Sequence, residues 1–198
     1  RLAPIQVIIV PIFKTDEEKA QVLAAARKIH EALVAANIRV RTDEREGSSP
    51  GFKFNDWEMR GVPLRIEIGP KDVAKGSVVL ARRDRPGKEG KAFVPQDGLP
   101  AAVTAMLVEI QKALLERARA FRDAKTKDAA TYDELKTAVE TGFASAFWCG
   151  NADCEAKIKE ETKATMRCIP VDQPASGQGA CVLCGQPAAE KGIFARAY

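Results

Sequence analysis

The 198-residue sequence has one histidine, no P-loop-type glycine-rich phosphate loop, no nucleophile-elbow pattern and no internal repeat. Each absence removes a class. Without a phosphate loop, the P-loop nucleotide-binding proteins drop out, and without an elbow the serine hydrolases built on one do too. His30 falls on the apolar stripe of a helical pattern and reads as a packed helix residue, so histidine acid–base catalysis has little to rest on. No apolar run approaches the length needed to cross a bilayer, and Arg1-Leu2-Ala3-Pro4 is not a signal peptide, so neither membrane nor export is expected. An initiating methionine is also missing, and the chain is expected to be a piece of something longer.

What is present is ordinary in bulk and specific in detail. A composition of 45% hydrophobic and 29% charged residues fits a soluble protein with room for one large domain or two small ones. The net charge of +4 permits a nucleic-acid partner without requiring one. Five cysteines, an odd number, with no export signal point to a reducing, cytoplasmic compartment. Four of them form two tight pairs, Cys149-x4-Cys154 and Cys181-x2-Cys184, joined by 26 residues. Two short loops that each aim two thiolates at one point make a tetrahedral zinc site, and the glycine after Cys184 allows the tight turn that the last ligand needs. Two disulfides, or inert buried thiols, are the alternatives. Zinc held by four thiolates has no open position and is expected to be structural. Cys168 has no paired neighbour and is expected on a strand, buried.

The chain opens with Ile5 to Ile12, a β-branched apolar run that fits a strand covered on both faces. Thr15 stands where an N-cap would, with Glu18 completing a capping-box pattern. Val22, Leu23, Ala26, Ile29, His30, Leu33 and Val34 then recur at helical spacing, and Ile38 to Thr42 alternates as a strand, so residues 5–42 form a βαβ unit. Residues 47–51 read as a loop and 54–61 as a short helix closed by Gly61. In the strand from Leu64 to Gly69, Leu64, Ile66 and Ile68 point inward, Arg65 and Glu67 outward. Further strands are expected at 77–81 and 91–94, and a long amphipathic helix from Pro100 to about Arg122 with Val103, Met106, Leu107, Ile110, Leu114 and Phe121 as its stripe. The pattern breaks at 125–128, placing one domain at 1–124 and another at 125–198, the second opening on a short helix near 132–139.

Between Lys53 and Lys91 ten basic residues face six acidic ones, an excess equal to that of the whole chain. Phe52, Phe54 and Trp57 lie beside them. Unpaired RNA bases need stacking faces together with guanidinium and carboxylate groups for their edges, and a carboxylate there would accept from base amino groups while repelling phosphate. A charge-mixed surface beside core aromatics is the commoner source of such a pattern.

The run Asn55-Asp56-Trp57-Glu58-Met59-Arg60-Gly61-Val62-Pro63-Leu64-Arg65-Ile66-Glu67-Ile68-Gly69, with Ala81-Arg82-Arg83-Asp84, resembles the anticodon-binding domain of class II aminoacyl-tRNA synthetases. Trp148-Cys149-Gly150, Arg167-Cys168-Ile169-Pro170, Cys181-Val182-Leu183-Cys184-Gly185 and the closing Phe194 to Tyr198 resemble the C-terminal zinc domain of prolyl-tRNA synthetases of the archaeal and eukaryotic type. The resemblance implies an α/β fold, a mixed five-stranded sheet flanked by helices, followed by a small α+β zinc-binding domain. It implies a role in reading the proline tRNA anticodon within a ligase that attaches proline to tRNA at the expense of ATP. Glu58 and Arg65 would then read the two guanines shared by proline anticodons. Phe54 would stack on a base, with Trp57, Arg83, Lys88 and Lys91 in the same tRNA-binding set. Cys149, Cys154, Cys181 and Cys184 match the family's zinc ligands, and Tyr198 its terminal tyrosine, which turns toward the catalytic domain. That domain, with its class II motifs for ATP and Mg2+, is absent from these residues, so the fragment alone is expected to be inactive and dimerisation to lie elsewhere. The alternative is a free-standing zinc-stabilised RNA-binding or protein-interaction module.

Overall fold

A computed structural model describes residues 3–173 and 178–197. Tyr198 and the middle of the loop read at 173–179 lie outside the described residues. The chain divides into two compact units, Arg1–Glu116 and Arg117–Tyr198.

In the first unit the apolar run becomes β1 (Val7–Pro11), all five residues buried. Thr15 caps α1 (Asp16–Ala35) by accepting from the Glu18 N–H at 3.3 Å, but the Glu18 carboxylate reaches the Lys14 N–H at 2.8 Å rather than the cap's own. Val22, Ala26, Ile29 and Leu33 are its buried stripe, and His30 Nδ1 sits 3.1 Å from Thr42 Oγ1, a packed helix residue. Then follow β2 (Val40–Thr42), α2 (Pro50–Met59), β3 (Leu64–Ile68), α3 (Pro70–Lys75), β4 (Ser77–Arg82), a 3-10 turn at Lys88–Gly90, β5 (Lys91–Pro95) and α4 (Leu99–Lys125), whose residues from Arg117 onward belong to the second unit. The sheet order is β2-β1-β3-β4-β5; the first three strands are parallel and the last two antiparallel, giving the mixed five-stranded sheet. One face packs β-branched and leucine side chains against α1 and α4, with Ile9, Leu64, Ile66, Leu80, Leu33 and Ile110 fully buried. The other face is covered over β1 by α2, where Ile8, Val10, Trp57 and Val62 form a smaller cluster.

Four details depart from the sequence expectations. Helix α2 begins inside the stretch read as loop, because Ser49 Oγ accepts from the Phe52 N–H and Pro50 occupies the first helical turn, where its missing N–H costs nothing. The six-residue α3, closed by Gly76 at φ +60°, was not anticipated. Glu67 does not face solvent: it is 8% exposed, because Arg65 and Lys91 close over its carboxylate in the ion pairs described below. Phe121 leaves the stripe of α4 and is exposed.

The second unit contains β6 (Thr126–Asp128), α5 (Tyr132–Thr141), β7 (Phe143–Trp148), α6 (Ala152–Thr162), β8 (Ala164–Cys168), β9 (Gly179–Ala180), β10 (Pro187–Ala188) and β11 (Glu190–Arg196). Its four-stranded sheet runs β6-β7-β11-β8, with β9 and β10 as a separate hairpin. Leu135, Val139, Ile158, Val182 and Phe194 pack with four alanines into an α+β core. Cys168 ends β8 but is exposed rather than buried: it shares the alternation of the core-facing Ala164 and Met166, but the register shift against β11 sets it opposite Ile193, one residue off the Phe194 row. Among the described residues no helix is long and apolar enough to cross a membrane.

Candidate nucleic-acid interface and metal centre

Arg65 is the hub of the basic region. Strand β3 directs it to the face that α2 covers, and α2 meets it with two residues one turn apart, Phe54 and Glu58. The guanidinium lies 3.9 Å from the centre of the Phe54 ring. Its Nη1 donates to Glu58 Oε1 at 2.6 Å, and its Nε and Nη2 donate to Glu67 Oε1 at 3.1 and 2.9 Å. Glu67 Oε2 accepts from Lys91 Nζ of β5 at 2.9 Å. Three of the five guanidinium N–H groups are thereby used and two remain. Exposure decides which partner is available to a ligand: the Arg65 and Glu67 side chains are 11% and 10% exposed, Glu58 45% and Lys91 36%. The array is a buried Arg–Glu pair with an accessible carboxylate on one side and an accessible ammonium on the other.

Phe54, Glu58 and Arg65 are thus brought together, Lys91 joins them through Glu67, and Arg83 shares a small crevice with Phe54, Trp57, Glu58 and Arg65. The turn carrying Arg83 is held by a bidentate pair, Arg82 Nε and Nη2 on Asp84 at 3.0 and 2.8 Å; that hydrogen bonding keeps the Asp84 carboxyl below its usual range. Lys88 is exposed in the 3-10 turn and makes no ion pair with the others. Trp57 is 6% exposed, with its indole N–H donated to Asp43 Oδ2 at 2.7 Å. Glu67, the residue that links Arg65 to Lys91, was not singled out from the sequence; its only signal was a charge at an alternating position of a strand.

Asp43, just after β2, fastens α2 in place. Besides Trp57 it accepts from Arg45 through the backbone N–H, Nε and Nη2, and its carbonyl takes Lys53 Nζ at 3.3 Å. Burial pushes the Asp43 carboxyl up, but the hydrogen bonds from Arg45 and Trp57 outweigh it and hold it at about 2. A carboxyl depressed in the folded state stabilises above its unfolded value near 4, and that contribution is lost as pH falls toward 2. Unfolding of the first unit, followed by Trp57 emission, should lose about 2 kcal/mol across that window. An Asp43→Asn variant, less stable at neutral pH, should lack the step. An unchanged acid limb in the variant would show that other carboxylates carry it.

In the second unit Cys149 follows β7, Cys154 lies in the first turn of α6, and Cys181 and Cys184 occupy the turn between β9 and β10. Asn151 caps α6 by accepting from the Asp153 N–H at 2.8 Å. Gly150 and Gly185, at φ +82° and +74°, follow the outer cysteine of each pair and supply left-handed turns. The four sulfurs lie within 4.8 Å of one another, with Cys149 3.7 Å from both Cys154 and Cys184. Four sulfurs about 2.3 Å from a tetrahedral ion have edges of about 3.8 Å, whereas a disulfide would bring a pair to about 2 Å. Burial pushes the Cys181 thiol up, but backbone N–H groups of Cys184, Leu183 and Cys149 bring it down to about 7, whereas burial and the neighbouring thiols push Cys154 up to about 12, so without an ion only Cys181 is favoured as thiolate. The donor set and spacing fit a metal ion, and Cys168 is not part of the cluster.

Two family models match the chain: "Anticodon binding domain" over residues 6–104 and "Prolyl-tRNA synthetase, C-terminal" over residues 132–198. The Proline--tRNA ligase of Roseiflexus sp. (strain RS-1) is 54% identical over all 198 residues, which cover 41% of its length. The Proline--tRNA ligase, chloroplastic/mitochondrial, of Arabidopsis thaliana is 49% identical over 202 aligned positions, with the whole chain covering 37% of it. That of Cenarchaeum symbiosum (strain A) is 49% identical over 199 positions, with 40% covered. The chain therefore spans about two fifths of the length of these curated relatives. It belongs to the anticodon-binding domain family, in the form that prolyl-tRNA synthetases continue with their own C-terminal domain.

Proposed function

We propose that the chain reads the anticodon of proline tRNA, as the recognition portion of an ATP-dependent proline–tRNA ligase. The observation that carries this reading is the Arg65 array: a guanidinium held over the Phe54 ring, with two N–H groups unspent, next to the half-exposed Glu58 carboxylate. Guanine offers acceptors at O6 and N7 and donors at its amino and ring N–H groups, so an adjacent Arg and Glu match both kinds of edge. Phe54 supports the Arg65 plane, and Trp57 anchors α2 through Asp43. Arg83, Lys88 and Lys91 supply positive charge at the rim for phosphates or base edges. Residues 1–124 form the anticodon-binding domain and 125–198 the C-terminal domain, where zinc held by the four thiolates acts as a structural clip. Proline activation with ATP and Mg2+, and dimerisation, belong to the rest of the ligase.

Binding of the chain to a proline anticodon stem-loop should be stronger than to an anticodon-swapped one, by about 1–3 kcal/mol per guanine lost. Glu58→Gln should erase most of that preference with little effect on folding, because Glu58 is half-exposed. Equal affinity for the two RNAs at moderate salt would mean that only phosphates are read and would sink the proposal.

A further inference from the structure

Resting on that reading, we propose that Phe93 is a base-stacking platform: a second, unpaired base of the anticodon loop lies flat on its ring, beside the base held by Glu58 and Arg65. Among the large hydrophobic side chains exposed in the described residues of the first unit, Phe93 is the one carried by a strand, and it is 77% exposed. Strand register explains why. Along β5, Ala92 and Val94 turn toward the core, with Val94 packed against it, so Lys91 and Phe93 point the other way. The pairing then aligns two rows across the sheet. Arg65 of β3 is opposite Ala81 of β4, which is opposite Lys91; Glu67 is opposite Val79, which is opposite Phe93. Arg65, Glu67, Lys91 and Phe93 therefore share one face, with the small Ala81 and the buried Val79 as the floor between them. With strands about 4.8 Å apart, the Phe93 ring stands about 10 Å from the Glu67 position, room for a neighbouring base.

The chemistry of the face selects the occupant. A single exposed aromatic is common on protein surfaces and by itself means nothing. Here the ring shares its sheet face with Lys91 and stands two residues past the 53–91 stretch, whose basic excess equals that of the whole chain, so a polyanion with apolar flat faces suits it better than an apolar protein surface. Sheet faces that bind single-stranded RNA use this combination, aromatic rings for base faces and nearby cations for the backbone.

The test measures affinity of the 198-residue chain for the proline anticodon stem-loop and its anticodon-swapped form, with Phe93→Ala, Phe93→Leu and Phe93→Trp. Each variant should melt as the unsubstituted chain does, since the ring contributes little to the core. Phe93→Ala should bind about five- to a hundred-fold more weakly, Phe93→Leu nearly as weakly, and Phe93→Trp at least as tightly as the original. The ratio between original and Phe93→Ala should persist as salt is raised, because stacking releases no counterions. With 2-aminopurine at successive loop positions, one position should change its emission on binding to the original and not to Phe93→Ala. Affinity unchanged in Phe93→Ala, while anticodon preference is intact, overturns this inference and leaves the parent reading standing. Full rescue by Phe93→Leu overturns stacking in favour of generic apolar contact. Self-association abolished by Phe93→Ala with RNA affinity unchanged would assign the ring to a protein contact and overturn the proposal. An unsubstituted chain with no anticodon preference overturns both readings.

Discussion

Stripping the metal from the four-cysteine site should cost residues from about 143 onward their fixed structure while the first unit stays folded. The core of the second unit explains the size of the effect. Of its nine buried residues, four are alanines, each burying little apolar surface. Of the larger ones, Ile158 lies on the helix that Cys154 begins, and Val182 lies between the last two cysteines. Both are placed by the elements that the thiolates draw together. Small domains fold with about 5–15 kcal/mol to spare, and structural zinc contributes apparent free energies of about 10–16 kcal/mol, so such a core should not survive its loss. Trp148 adjoins Cys149, with its indole N–H donated to the Asn151 carbonyl at 3.2 Å, and should report the change in emission and near-ultraviolet dichroism on chelation. In a Trp148→Phe variant the remaining indole, Trp57, should report nothing, because it belongs to the other unit. Elemental analysis should find about one zinc per chain. Cys154→Ser should lower that content and Cys168→Ser should not. A metal-free protein with unaltered Trp148 signals would refute the clip.

The elements legible in the sequence were those whose own pattern decides them. β1 and α1 were visible because a five-residue apolar strand and a 20-residue stripe leave one packing solution, and the cysteine pairs because their spacing restricts where four sulfurs can go. What was hidden depended on partners distant in the chain. Glu67 looked solvent-facing because alternation says nothing of what closes over a polar side chain; Arg65 and Lys91, one at each carboxylate oxygen, make it buried. The start of α2 was obscured by Gly47, Ser48 and Gly51, turn formers whose presence outweighed the Ser49-Pro50 capping signal. Helix α6 has only Cys154, Ile158 and Thr162 on its buried side, too sparse a stripe to stand out from its charged residues. In the interface, residue types at Glu58 and Arg65 were readable, but their assembly around Phe54 and Glu67 was a product of the sheet.

Arg65→Ala should then produce two losses that have to be separated. Binding to the proline anticodon should fall by about 1–3 kcal/mol for the lost base contact. Stability should fall as well, because Glu67 is nearly buried and would keep only Lys91 as a charged partner. Breaking a buried pair by removing one side costs about 3–5 kcal/mol, and the Lys91 contact puts this case near the lower end. A weakened complex alone is therefore ambiguous between a lost contact and a loosened domain. Adding Glu67→Gln resolves it: the double variant no longer buries an uncompensated carboxylate, so it should recover much of the melting temperature without recovering anticodon preference. Arg65→Lys should behave differently again, keeping the charge balance and much of the stability but losing the planar fork that lies on Phe54 and addresses a base edge. If the double variant regained both stability and anticodon preference, Arg65 would be a brace for the sheet face, and base reading would have to be sought at Glu58, Lys91 and Arg83.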